Sequence, residues 1–394
     1  MTSSFSRDRL TWTAYLMLGF FAYLQAAPGL VIVHLRDELG LSYATGGLHV
    51  AAFAGGAMLA GLAAGRLERA IGRRRLLWSA AALMSVAAVG LTAGRVAGVT
   101  LGSVLVMGVG GGLLLVTIQA ALADHHGHLR SVALAEANVA ASISYLALIG
   151  VLSLAAVLHL GWRLALLAAL VVPVIAWLSN RRLVIDAPAP SAEARGRLPG
   201  AFWVTVAMLF CMTAAEWCIG GWGATFVATA TGVSTDSAVA LMAGYFGGVL
   251  ARRIVGSRLA HRHDPARLLA LALAVTVAGF AVLWPSTAPL PALLGLTLLG
   301  VGLGNLFPMG MALAVSLAPD RAALASGRAV TVTSFAILLA PFTVGALADA
   351  TTLKAALGVV PALLVLAAAG LALVHRARRR TGAHDPALAT ADGR

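Results

Sequence analysis

Apolar runs recur along the whole of this 394-residue chain, and each run of about 20 residues is long enough to cross a bilayer as a helix. Hydrophobic residues make up 60% of the chain and charged residues only 11%, whereas about a quarter of a typical soluble domain is charged. A soluble domain with one buried core would not need so many apolar runs. The sequence therefore predicts an all-α polytopic membrane protein.

The apolar runs divide into twelve predicted transmembrane helices, which we number as spans 1 to 12. Their lengths are those of helices that cross the hydrocarbon core with some tilt. The predicted spans are 11–34, 43–66, 76–94, 98–123, 131–158, 162–180, 200–230, 235–258, 266–285, 289–318, 322–347 and 352–375.

The placement of basic residues predicts how the chain is oriented. The net charge is +13, which could suggest a nucleic-acid partner. However, all but four of the 28 Lys and Arg residues fall in the two termini or in the even-numbered loops between spans, in short blocks without interleaved aromatic residues. The sequence therefore predicts no nucleic-acid partner, a multi-pass protein of the inner (plasma) membrane, and both termini in the cytoplasm.

An internal repeat divides the chain into two halves. Shifting the sequence by 192 residues superimposes the glycines of span 4 on those of span 10: Gly108 on Gly300, Gly110 on Gly302 and Gly112 on Gly304. A polar stretch between spans 6 and 7 reads as a linker. We therefore expect two pseudo-symmetric six-helix bundles, 1–182 and 200–394 with a short cytoplasmic tail, joined by a cytoplasmic linker at 183–199. A substrate site would lie between the bundles near mid-membrane.

The loop between spans 2 and 3 carries a recognisable motif. Residues 65–75 read GRLERAIGRRR, which resembles the major facilitator loop signature Gly-x-Leu-Ala-Asp-Arg-x-Gly-Arg-Lys at Gly65, Leu67, Gly72, Arg73 and Arg74. Arg69 stands where the signature has its Asp, and Glu68 supplies the acid one residue early. On a helix, that shift displaces the carboxylate by about 100°.

This resemblance covers essentially the whole chain and implies the major facilitator fold and secondary transport of a small solute. The residues around Glu216 in span 7 are similar to the fucose/glucose/galactose symporter branch, which has a Glu at a similar place. That branch's proton-linked members are expected to carry an acid in span 1, and this chain has none there. The Gly-Pro-x-x-Gly-Gly pattern of drug antiporters is also absent from span 5, which weakens an export interpretation.

Glu216 is the strongest single candidate for chemistry. Of the 15 acidic residues, it alone falls near the middle of a span, where an ionised carboxylate costs about 2.5 kcal/mol or more. Burial among Phe210, Trp217 and Trp222 would favour the protonated form, which a proton-coupling group needs. The alternative is a neutral, hydrogen-bonded structural carboxyl.

Other polar or aromatic residues fall at membrane depth and are candidates for the wall of a substrate cavity. Each could instead make a structural hydrogen bond between helices. The candidates are Trp217, Trp222, Tyr23, Gln25, Gln119, Asn138, Tyr145 and Asn305.

Opposite charges at equivalent positions of the two halves suggest a gate. The 192-residue shift places Glu136 on Arg328, and the resemblance implies that span 5 packs on span 8 and span 11 on span 2. We hypothesise that Glu136 meets Arg252 or Arg253 while Glu68 meets Arg328, which would close the cytoplasmic side together with the loop residues Gly65, Gly72, Arg73 and Arg74. The alternative is a helix cap at Glu136 and arginines that reach lipid phosphates.

These observations predict a proton-coupled secondary transporter, with efflux of a hydrophobic or amphipathic solute first and proton-linked uptake of a sugar or metabolite second. A membrane sensor or assembly factor without transport is the alternative from another class. No nucleotide-binding loop or catalytic cluster is present, so we expect no enzyme activity and no cofactor. His125, His126 and His128 beside Asp124 fit a solvated loop better than a metal site. We expect a monomer.

Overall fold

The computed structural model describes residues 5–185, 196–260, 265–304 and 306–382, and within them the chain is helical, with no β-strand. The helices are α1 (Arg9–Leu39), α2 (Tyr43–Ile71), α3 (Arg73–Ala93), α4 (Ala97–His126), α5 (Arg130–Val157), α6 (Gly161–Ala168), α7 (Val171–Asn180), α8 (Gly200–Thr231), α9 (Thr235–Ala260), α10 (Pro265–Leu283), α11 (Pro289–Leu303), α12 (Leu306–Ser316), α13 (Ala322–Ala350), α14 (Leu353–Ala356) and α15 (Val359–Gly382).

The number of membrane crossings depends on two segments. By length and apolar composition, ten helical stretches of the described chain can cross a membrane. One of them, Ala97–Val157, is 61 residues long and holds α4 and α5, which pack against each other on either side of a turn at Gly127–Leu129. A further apolar helix, Arg267–Leu283, is shorter. Counting the long stretch as two crossings and the shorter helix as one gives the predicted twelve.

The internal repeat is visible in how the helices pack. Helix α4 lies so close to α2 that a methyl group added at Gly108 would collide with the backbone carbonyl oxygen of Phe53. A methyl group at Gly300 of α11 would collide in the same way with the carbonyl oxygen of Tyr245 on α9. Both the glycines and their partners are related by the shift of 192 residues. Small residues allow this approach, on which helix packing in lipid depends.

A second pair of glycines repeats the same arrangement on the other side of these helices. A Cβ atom at Gly110 would lie 2.7 Å from the backbone nitrogen of Met84 on α3. A Cβ atom at Gly302 would lie 2.7 Å from the backbone nitrogen of Thr276 on α10, again 192 residues further on. The same backbone contacts thus recur in the two halves of the chain, as the 192-residue repeat predicts.

We call the end of the bundle where α1 begins and α7 ends the terminal face, and the end where α1 leads into α2 the opposite face. At the terminal face, Gly72 joins α2 to α3 with a φ of 81°, a left-handed value that favours glycine. The next residue, Arg73, is buried and donates to Glu68 of α2 and Asp124 of α4, both at 2.7 Å. Glu68, one residue early in the loop motif, thus binds within its own half.

The two halves meet along three helix pairs, α2 with α13, α5 with α9, and α1 with α8. Gly47 and Gly55 of α2 lie against Pro341 and Leu338 of α13, toward the opposite face. Near the terminal face, Arg328 of α13 is exposed. The described chain is therefore closed at the opposite face.

Candidate functional site

A small cavity of about 80 Å³ lies between the two halves, at the middle of the helices that form it. Its wall is formed by α1, α2, α5, α8 and α9, so both halves contribute. The lining residues are Gln25, Ala26, Pro28, Gly29, Val50, Phe53, Tyr145, Glu216, Trp217, Gly220, Tyr245, Phe246, Val249 and Arg253.

The acid in this wall is Glu216, which lies at the middle of α8 and is half-buried. Among the described residues, its carboxyl group makes no hydrogen bond and no ion pair. Arg253 of α9 lines the same cavity and is close enough to Glu216 for an electrostatic interaction. An unpaired carboxyl group at this depth is costly, so it is either protonated, hydrated or balanced by a nearby cation.

Arg253 also joins the two halves. Its Nη1 donates to the carbonyl oxygen of Asn138 at 3.0 Å and to the hydroxyl of Ser142 at 2.7 Å, both on α5. Hydrogen bonds from a charged group are about twice as strong as those between neutral groups. The cavity's cation is therefore held by the opposite half of the molecule.

Tyr145 supplies the main polar contact of the N-terminal half. Its hydroxyl donates to Oε1 of Gln25 at 3.0 Å, which fixes both side chains at the cavity wall. Its ring lies 5.0 Å from that of Phe246 on α9, across the boundary between the halves. The wall thus combines aromatic faces with a few fixed polar groups, as small-molecule sites usually do.

Between the cavity and the opposite face, a contact between α13 and α2 holds the two halves together. The Asp349 carboxylate accepts hydrogen bonds from the backbone N–H groups of Tyr43 and Ala44, at 2.7 and 2.8 Å. These N–H groups lie at the first turn of α2, where the helix itself leaves them without partners. The guanidinium of Arg36 stacks on the Tyr43 ring, 3.6 Å from its centre.

The family model of the Major Facilitator Superfamily matches residues 11–288 and 205–391, which together span nearly the whole chain. The chain belongs to the Major Facilitator Superfamily. Members of this family are transporters of small molecules rather than enzymes, and the chain is accordingly a multi-pass membrane protein. No curated protein sequence matches the chain.

Solved structures of major facilitator transporters share the fold at low sequence identity. A bacterial homologue of the human lysosomal transporter Spinster, inward-facing and unoccupied, has a TM-score of 0.75 and 14% identity, over 94% of this chain and 98% of that one. A D-xylose–proton symporter has a TM-score of 0.74 and 16% identity, over 93% and 96%. The nucleoside transporter NupG has a TM-score of 0.75 and 12% identity, over 94% and 99%.

The structure brings four of the predicted cavity residues together, namely Glu216, Trp217, Gln25 and Tyr145. Gln119 and Asn138 are exposed on α4 and α5, and neither lines the cavity. Asn305 lies outside the described residues. The four residues that do meet come from α1, α5 and α8, which are the helices at the boundary between the halves.

Trp222 and Tyr23 are corrections, because neither lines this cavity. Trp222 is fully buried, and its indole N–H donates to the carbonyl oxygen of Pro341 at 2.8 Å, in the contact between α8 and α13. The Tyr23 hydroxyl donates to the carbonyl oxygen of Ala165 at 2.7 Å, inside the N-terminal half. Both make the structural bonds between helices that were the alternative interpretation.

Sequence reasoning missed the aromatic residues of α2 and α9 and assigned Arg253 to the gate alone. The repeat itself carried the missing signal, because several lining residues are related by 192 positions. These pairs are Gln25 with Trp217, Pro28 with Gly220, and Phe53 with Tyr245.

The predicted gate pairs do not form among the described residues in this conformation. Glu136 binds Arg7 at 2.6 Å and accepts from the Tyr15 hydroxyl at 3.1 Å. Arg252 is buried, and its Nε has no hydrogen-bond partner among the residues that the structure describes. The hypothesis concerns the state that is closed at the terminal face, so it stays a prediction. No group of three potential metal ligands occurs in the described chain.

Proposed function

We propose that this chain is a proton-coupled secondary transporter that moves a small organic solute across the inner membrane by alternating access. One observation carries the proposal: an unpaired carboxyl group, Glu216, in a cavity shared by both halves. An intramembrane acid that faces a cavity is a functional group by default, because a structural role would require a partner.

The coupling follows from the cost of charge in a dry cavity. Protonated Glu216 is neutral and tolerates closure on both sides, whereas the carboxylate needs water or Arg253 beside it. A solute that occupies the cavity displaces water and competes for the same cation. Proton binding and solute binding thereby bias one equilibrium between two conformations, which is what coupled transport requires.

The character of the wall bears on the solute and on direction. Phe53, Trp217 and Phe246 suit a hydrophobic or amphipathic solute, and efflux of such a compound is the first candidate. The hydrogen-bonded pair of Gln25 and Tyr145 favours a hydroxylated solute instead, so proton-linked uptake of a sugar or metabolite is the second.

The moving parts in this proposal are the predicted bundles, 1–182 and 200–394, joined by the linker at 183–199, of which residues 186–195 lie outside the described chain. The termini and linker would face the cytoplasm, as the distribution of basic residues predicts. We propose that a monomer is sufficient, because each monomer holds a complete cavity between its halves.

Transport by the purified protein in proteoliposomes tests this function. A panel of labelled sugars, nucleosides and amphipathic dyes is offered with and without an imposed pH gradient, while an internal dye reports proton movement. We expect proton movement to accompany the transport of one solute class. The direction of the proton flux relative to the solute flux then distinguishes uptake from efflux. A protein that binds no solute and moves no protons would instead be a sensor or assembly factor.

The variant Glu216→Gln is the specific test of coupling. This variant should lower the rate of proton-driven transport at least about tenfold. Solute exchange measured with no pH gradient should continue, because the amide mimics the neutral acid. Asp37→Asn is the matched control, since Asp37 is exposed and lies outside the cavity. Proton-driven transport by Glu216→Gln at the wild-type rate would show that another group couples.

A further inference from the structure

A basic groove lies at the terminal face on the outer side of the N-terminal half, between the start of α3 and the end of α7. Its walls are Arg74, Arg75, Trp78, Ser79, Trp177 and Arg181. Arg74 and Trp78 are four residues apart on α3, as are Arg75 and Ser79, so each pair shares one side of the helix. Trp177 and Arg181 have the same spacing at the end of α7.

The groove concentrates positive charge without a carboxylate to neutralise it. Arg74, Arg75 and Arg181 are exposed, and no Asp or Glu of the described chain lines the groove. The neighbouring Arg73 is different, because it is buried and binds Glu68 and Asp124. The three-arginine block of the loop motif is thus divided: its first member holds α2, α3 and α4 together, and the other two face the groove.

The start of α3 adds to this positive field. No side chain caps its first turn, so backbone N–H groups there lack partners within the helix. The positive end of the helix dipole lies at the same place. Together with arginines, such a helix start favours a phosphate group.

Two tryptophans place the groove at the depth of lipid headgroups. Trp177 is exposed, and the Arg181 guanidinium lies 5.6 Å from the centre of its ring. Nε1 of Trp78 is buried and has no hydrogen-bond partner among the described residues. Tryptophan rings collect at the membrane interface, where one end of the ring is in lipid and its N–H finds a polar group.

We infer that this groove binds the headgroup of an anionic phospholipid. The apolar side chains of Val174, Ile175 and Leu178, on the same helix as Trp177 and Arg181, are exposed and form a surface that acyl chains can cover. A soluble phosphate would gain the same arginines but none of this apolar contact. Basic pockets between transmembrane helices hold anionic headgroups by this combination. The inference does not depend on the proposed function.

Native mass spectrometry of the full-length protein in detergent, titrated with phosphatidylglycerol and with phosphatidylcholine, tests the inference. The wild type should bind one phosphatidylglycerol at least about tenfold more tightly than phosphatidylcholine. The groove variant, with Arg74→Gln, Arg75→Gln and Arg181→Gln, should lose that preference.

The control variant carries Arg66→Gln, Arg130→Gln and Arg376→Gln. It removes the same charge from exposed positions toward the terminal-face ends of α2, α5 and α15, and should keep its affinity within about twofold. Equal losses in the two variants, or no loss in the groove variant, would overturn the inference. So would displacement of phosphatidylglycerol by glycerol 1-phosphate at an equal concentration, which would identify a site for soluble phosphate.

Two milder variants keep the test decisive if the triple variant does not fold. Arg181→Gln and Arg75→Gln each remove one exposed charge from the groove. Each should weaken phosphatidylglycerol binding about two- to fivefold, with helical content and melting temperature in lipid-free detergent unchanged. Binding at wild-type affinity in both would contradict the inference.

Discussion

The N-terminal and C-terminal halves agree where helices touch and differ where the cavity opens. Gly108 and Gly300 meet backbone carbonyl groups at equivalent positions. By contrast, Glu216 corresponds to the fully buried Leu24. The repeat therefore preserves packing and leaves the cavity free to diverge.

Arg253 shows the same divergence. Its equivalent in the first half is Gly61, where an added Cβ would meet nothing within 4 Å. Among the described lining residues, the carboxyl group and the guanidinium group thus both come from the C-terminal half. Because each midspan charge is costly, one half can hold the coupling groups while the other provides an uncharged surface.

The largest expected effect is on packing, and it should be equal in the two halves. Gly108→Ala and Gly300→Ala should each destabilise the protein by about 3 kcal/mol or more, because the added methyl group collides with backbone. Melting temperature and the yield of monodisperse protein measure this. Gly102→Ala on α4 is the control, since open space surrounds that position.

A Gly300→Ala variant as stable as the wild type, together with a destabilised Gly108→Ala variant, would contradict the equivalence of the two halves. It would mean that the second half tolerates a separation between α9 and α11 that the first half does not. The two halves would then share a sequence repeat without sharing its structural reason.

The next largest effect is expected at Arg253, where the two halves differ. Arg253→Gln should lower the initial rate of proton-driven transport roughly tenfold or more, because it removes the cavity's cation and charged hydrogen bonds to α5. Arg253→Lys should retain more activity, since it keeps the charge while losing the planar guanidinium. Equal rates in the two variants would show that shape rather than charge matters there.

A smaller effect is expected at the opposite face, where the halves again differ. Asp349 binds the first turn of α2, whereas its equivalent, Val157, is exposed and cannot accept a hydrogen bond. Asp349→Ala should shift the conformational equilibrium toward opening of this face by about fivefold, because it removes the acceptor that caps the first turn of α2.

Distances between spin labels on α2 and α13 measure this shift. Asp37→Ala is the control, because Asp37 is exposed near the same face. An unchanged distance distribution in Asp349→Ala would mean that the Asp349 contact is not needed to hold the face shut.

The smallest effect concerns Glu136, whose equivalent is Arg328. Arg7→Gln removes the exposed partner of Glu136 and should change the transport rate by less than about threefold, since exposed ion pairs contribute little. A much larger change in proteoliposome assays would indicate that Arg7 competes with α9 for Glu136 as the carrier switches state.

The sequence predicted the fold well because its signals are long and repeated. Apolar runs define the helices, and one offset aligns glycines whose contacts the structure then repeats. Glu216 was found because a midspan acid is rare. These signals depend only on position along a helix.

Predictions failed where the direction of a side chain around a helix was needed. Tyr23 and Gln25 are two residues apart, so they project about 200° from each other, and only Gln25 reaches the cavity. Trp222 projects to a different side of α8 from Glu216, while Gly220 shares Glu216's side. When a helix is apolar on every side, its sequence gives no pattern that shows which side faces the cavity.

Arg253 spans the boundary between the halves with a single side chain. Its Nη1 binds α5 through two hydrogen bonds, and the same side chain lines the cavity beside Glu216. In the proposed transport cycle, a solute that drew the guanidinium into the cavity would weaken these bonds, and release of the solute would restore them. One side chain would then couple occupancy of the cavity to the separation of α5 and α9.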